Sequence, residues 1–203
     1  MRAFRRWLQA VLVLLSSLGP AQQTAQQSAQ QSDQAIAKRI LGPRWEQLSR
    51  RAGMIFAGTV LSTSAASDRA AAGAAPSIEL NFRVDEPIAG VERGQILTIH
   101  EWAGAWSMHR PMTRGQRMLI FLYPPSRLGL TSPVGGSLGQ IFLDSSGQNL
   151  SADAVTRAAA VALPSESSPP PQSPTATATV SVIQLERAIR AARNRNGAGS
   201  EKE

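Results

Sequence analysis

The chain has 203 residues, a formal charge of +7 from 21 Lys and Arg against 14 Asp and Glu, and no cysteine. The missing thiol excludes disulfides and a lipid anchor on cysteine, so stability has to come from the packed core of one modest domain. The arginines are scattered instead of clustered, which leaves out the concentrated basic face that nucleic-acid binding needs.

Residues 1–21 have the three parts of a secretory signal peptide in order. Arg2, Arg5 and Arg6 form the positive start, residues 7–18 are apolar apart from Gln9, Ser16 and Ser17, and Gly19-Pro20-Ala21 offers small residues for cleavage after Ala21. The apolar run is shorter than the roughly 20 residues of a spanning helix, so the expectation is removal, with no membrane anchor left behind. The segment carries three arginines and no acid, so its loss takes the charge from +7 to +4.

Residues 22–34 are Gln, Ala and Ser without an apolar period, which predicts a disordered spacer. A short helix follows from about residue 35, with Ile36, Ile40, Trp45 and Leu48 in reach of one stripe and Gly42-Pro43 dividing it. Residues 54–61 are a continuous apolar run suited to a strand buried on both faces. A small polar loop spans 62–77. Ile78, Leu80, Phe82 and Val84 then alternate with Glu79, Asn81, Arg83 and Asp85, the period of a half-buried strand.

A turn over 86–94 leads to a strand over 95–102, and a loop to residue 117. Residues 117–123 are the most hydrophobic strand, expected at the centre, and Pro124-Pro125 ends it. Two short strands, 128–131 and 140–143, flank a turn at 133–136. Residues 161–178 read as a Pro/Ser/Thr linker, 179–194 as a helix and 195–203 as a disordered tail. In the helix, Val182, Leu185, Ile189 and Ala192 share a side, Arg187, Arg190 and Arg193 lie elsewhere, and Glu186 precedes Arg190 by four. The helix either docks on the domain or stays a tethered amphipathic helix. No internal repeat stands out.

Close-spaced strands without intervening helices predict a mainly β fold over residues 35–160, a small OB-like antiparallel barrel with short N- and C-terminal helices flanking it. The wording of the strands adds a resemblance. Residues 52–60 (AGMIFAGTV) followed by 82–91 (FRVDEPIAGV), then 94–99 (GQILTI) and 115–122 (GQRMLIFL), resemble the strands of netrin-like domains. These are the OB-type barrels shared by tissue inhibitors of metalloproteinases and many bacterial exported proteins. The resemblance covers about residues 50–145. It implies a fold and an export habit; the inhibitors' N-terminal cysteine has no counterpart here, and no family site residue carries over.

The richest surface candidate is the stretch holding Trp102, Trp106, His109, Arg110, Arg114 and Arg117, since Trp and Arg anchor interfaces and loops on a rigid scaffold carry binding. The alternative is that Trp102 and Trp106 plug one end of the barrel while the arginines are solvated. Gly135-Gly136-Ser137-Leu138-Gly139 spells a nucleophile elbow, but no helix follows and both histidines precede the serine, so it reads as a glycine-rich turn. His100 and His109 lack the close pairing of zinc ligands. Asn149-Leu150-Ser151 fits a glycosylation acceptor and is assigned no role.

No cofactor is expected. The function expected is an exported, periplasmic or extracellular, non-enzymatic binding or structural module with a protein partner. Two rivals stand beside it: a protease inhibitor acting through the 62–77 loop, and a small hydrolase using Asp85 and Glu86, the only adjacent acids on a strand end.

Overall fold

Ala and Gln stand high in helix propensity, and neither needs a buried face to hold helical dihedrals. Residues 22–34 accordingly are not a disordered spacer. They belong to helix α1, Gly19–Leu41, in the computed structural model, which describes residues 19–65, 76–106, 112–151, 154 and 180–197. Residues 26–32 of α1 are exposed, whereas Asp33, Ala37, Ile40 and Leu41 are buried. Gly42 takes φ 83°, the left-handed stop that a side chain disfavours, and with Pro43 it divides α1 from α2, Trp45–Arg51, as expected.

Five antiparallel strands follow: β1 (Met54–Ala65), β2 (Ser77–Ala89), β3 (Ile96–Trp102), β4 (Arg117–Leu122) and β5 (Gln140–Phe142), in the order β3-β2-β1-β4-β5. The centre is β1, not β4, because β1 pairs with both β2 and β4. Its successive side chains enter two different cores, which accounts for its unbroken apolar run. Phe56 and Val60 join Leu80, Phe82, Met118 and Ile120 on one face. Ile55 and Ala57 join Leu119, Phe121 and Ile141 beneath the helices on the other.

The alternation read in β2 holds: Leu80, Phe82 and Val84 are buried to 1% exposure or less, and Arg83 is exposed. The strand runs on to Ala89, through the segment expected to turn. In β3, Ile99 is buried and the apolar Ile96 is 57% exposed.

The mainly β, antiparallel character stands, but the sheet is not closed into a barrel. Among the described residues, β3 and β5 are the two edges of the sheet and do not pair. Leu130 bridges to His100, and Pro133 bridges to Leu122, each as an isolated bridge. Pro124, Pro125 and Pro133 have no N–H to donate, so the segment after β4 cannot sustain a ladder across the gap. The strand expected over 128–131 is therefore a single bridge, and residues 136–139 form one 3-10 turn.

A four-residue helix, α3 (Ala103–Trp106), opens the loop expected after β3, and residues 112–116 carry neither helix nor strand. Helix α4, Val182–Gly197, packs Val182, Leu185, Ala188, Ile189 and Ala192 into the helix-side core, so the docked alternative is the one found. Its last residues, 195–197, fall in the segment expected as tail. Residues 1–18, the 161–178 linker and residues 198–203 lie outside the described residues. Among the described residues no helix is long and apolar enough to cross a membrane.

Candidate functional site

The outward side of β3 carries Ile96, Thr98, His100 and Trp102, paired across β2 with Arg83, Asn81, Glu79 and Ser77. This is the same sheet face that the helices cover over β1, β4, β5 and the end of β2; among the described residues, the helix-side core takes no side chain from β3. A polar relay crosses it. The Thr98 hydroxyl donates to Asn81 Oδ1 at 2.6 Å, and Asn81 Nδ2 donates to Ser62 Oγ at 3.0 Å and Glu79 Oε1 at 3.1 Å. Trp102 closes the strand, 50% exposed, so it does not plug the sheet's end. A Cβ on Gly104 would lie 2.4 Å from the Trp102 ring, so only glycine lets the indole lie where it does. Leu128, 76% exposed, sits in the turn leading to Leu130, itself bridged to His100. Just inside the strand, burial pushes the Glu101 carboxyl up to about 7.

The other expected surface residues do not all gather there. His109 and Arg110 lie outside the described residues, as does the side chain of Trp106. Arg114 is exposed in the turn before β4, where Gly115 N–H donates to Val60 O, across two strands from β3. Arg117 points elsewhere again, into a second site.

That site is a cleft of about 170 Å³ between the sheet and α4, lined by Asp85, Glu86, Arg117 and Glu186 together with Gly58, Ala57, Leu143, Gln148, Val182 and Ile183. Arg117 Nη1 donates to Ser146 O at 2.5 Å, and its Nη2 lies 3.6 Å from Asp85 Oδ2. Gly147, at φ 72°, rests against this guanidinium, where a Cβ would come within 2.8 Å of it. The same hairpin holds α4 in place, since Val182 N–H donates to Gln148 O at 2.8 Å.

The carboxylates differ in how they are served. Asp85 accepts from the Thr59 hydroxyl at 2.6 Å and from Arg83 Nε at 2.9 Å. Partial burial pushes the Asp85 carboxyl up, but Thr59, Arg83 and Arg117 outweigh it and hold it below its ordinary value. Glu86 accepts from Arg93 on one oxygen and from Arg190, at 3.1 Å, on the other. Arg190 also donates to Pro87 O at 2.7 Å, so it reaches the sheet instead of Glu186 four residues before it. Glu186, 8% exposed, accepts no hydrogen bond among the described residues; burial first, and then the Glu86 charge, push it up to about 7.

Asp85 and Glu86 were legible as candidates, although they line a cleft within β2 and not an exposed turn. Glu186 was missed. Its signal was available, because a helix period puts it beside Val182, Leu185 and Ile189 on the apolar side. Among the described residues no three His, Asp or Glu side chains form a metal-ligand set. No protein-family model matches the chain, and neither a curated protein nor a solved structure matches it.

Proposed function

We propose that the chain is an exported, non-enzymatic binding module that holds a protein partner on the β2–β3 face. The observation that carries this reading is Trp102, half exposed at the end of the edge strand β3, with exposed Ile96 and Leu128 on the same strand and the turn beside it. Exposed apolar groups collected on a rigid element mark interaction surfaces, and Trp is the most frequent anchor among them. The polar relay through Asn81 supplies donors and acceptors beside the anchor, as interface rims do.

Export is supported by the order of charge, apolar run and small residues up to Ala21. An OB-like, partly open barrel of netrin-like type is supported by five antiparallel strands and by the bridges that Leu130 and Pro133 throw across the gap. The non-enzymatic reading is favoured over a carboxylate hydrolase because Thr59 and Arg83 hold the Asp85 carboxyl below its ordinary value, and both oxygens of Glu86 are taken by Arg93 and Arg190.

The test is a pull-down from the exported fraction with the wild-type chain and Trp102→Ala. A partner retained by the wild type and lost by a variant of unchanged circular dichroism and Tm is the expected result. Equal capture by the two chains overturns the reading.

A further inference from the structure

We propose that the cleft between β2, β4 and α4 is a binding site for a single alkylammonium group, with Glu186 as its counter-ion. The other charges at the cleft are already committed. Asp85 is held by Thr59 and Arg83, and Glu86 by Arg93 and Arg190. Arg117 is held by the Ser146 carbonyl and faces Asp85, so it has little to offer an anion, which Asp85 and Glu86 would also repel. Glu186 alone is nine-tenths buried, lines the cavity and accepts no hydrogen bond among the described residues. Its oxygens are not sealed from solvent, so a ligand entering the cleft meets a largely desolvated carboxylate with no donor of its own, which a charged N–H group supplies.

Size and lining narrow the ligand. A volume of about 170 Å³ equals the liquid share of roughly six waters, room for a short alkyl chain and one amine. Ala57, Leu143, Val182 and Ile183 give that chain an apolar wall, and Ile183, 59% exposed, stands at the mouth. A divalent metal is disfavoured because two of the three carboxylates are occupied by arginines.

Binding is linked to protons. Glu186 is faced by Glu86 from β2, Arg93 from the turn after it and Arg190 from its own helix, with Asp85 and Arg117 lining the same cleft. An ammonium selects the ionised carboxylate, so affinity rises with pH through about 7.

The experiment titrates the full chain with n-butylammonium by calorimetry at pH 6 and pH 8, with n-butanol as the neutral control. Binding at pH 8, weaker by roughly tenfold at pH 6 as the carboxylate takes up its proton, is expected for the ammonium and no binding for the alcohol. Glu186→Gln, whose fold is checked by its Tm, should abolish the binding. A short lysine peptide and its Nε-acetylated form separate the two sources of the group: tighter binding of the unmodified peptide assigns the site to a partner's side chain, and preference for the free amine assigns it to a small molecule. Absence of ammonium binding at pH 8, equal binding of the alcohol, no change in affinity between the two pH values, or full affinity in Glu186→Gln overturns the proposal.

Discussion

Arg193 completes a helix to which it does not belong. Its Nη1 donates to Ser49 O at 2.6 Å and to Ala52 O at 3.1 Å, taking up carbonyls at the end of α2 that have no partner within that helix. Arg187 grips the buried Asp33 carboxylate of α1 with two donors, at 2.9 and 3.2 Å. Arg195 instead meets Glu46 where both side chains are open to water, at 49% and 42% exposure. Arg193→Ala should therefore cost about 1.5–3 kcal/mol in urea unfolding, and Arg195→Ala should change stability by less than about 1 kcal/mol. Phe56 is fully buried and meets Phe82 edge to face, with centroids 5.7 Å apart. Phe56→Ala should cost about 3–5 kcal/mol by the same measurement. The burial of Phe56 was legible from its place in an apolar run. The tasks of the arginines were not, because their partners lie more than 100 positions away and a helix period shows only which side an arginine leaves, not what it meets.

Between α4 and β2 the fold brings Glu186 towards Glu86, and burial with like charge raises the Glu186 carboxyl from 4.5 to about 7. A raised carboxyl means that the folded chain holds a proton the unfolded chain has released. Its contribution is thus fully present below pH 4.5 and lost as pH rises through about 7. Glu101 acts in the same direction, from burial alone. Stability measured between pH 5 and pH 8 should fall with rising pH, and Glu186→Gln should flatten the slope; an unchanged slope would remove Glu186 as its source.

At this scale α1 shows what the sequence held and what was passed over. Ala-Gln-Gln-Thr at 21–24 recurs as Ala-Gln-Gln-Ser at 25–28 and 29–32. That four-residue rhythm lines alanines along one helix side, a repeat visible without any apolar period. A search for buried faces overlooks a helix whose residues 26–32 are exposed. The strands were easier, since β1 and β2 each bury large side chains at spacings that only extended chain satisfies.

The molecule as a whole is one sheet between two cores, and the helix-side core is built from both ends of the chain. Asp33 and Arg187 are 154 positions apart and in direct contact. A chain stopped before Val180 would leave Leu119, Phe121 and Ile141 without the side chains of α4. It should bind a hydrophobic dye and lose its sharp unfolding transition; a cooperative transition at the wild-type Tm would contradict the shared core. Closure into a barrel was the expectation least accessible to reasoning from pattern. Strand periods count strands and assign their faces, but whether the edges meet depends on the proline-bearing segment between β4 and β5, where backbone donors are missing.

The docking of α4 has a bearing on the order in which the molecule can be made. Synthesis runs from the N-terminus, so residues 182–197 emerge after all five strands of the sheet they pack on. Until they do, the helix-side face of the sheet has only α1 and α2 to lie against, and its core lacks Val182, Leu185, Ala188, Ile189 and Ala192. A polypeptide arranged in this way keeps part of its core open after every strand has been made, and closes it only when residues 182–197 follow.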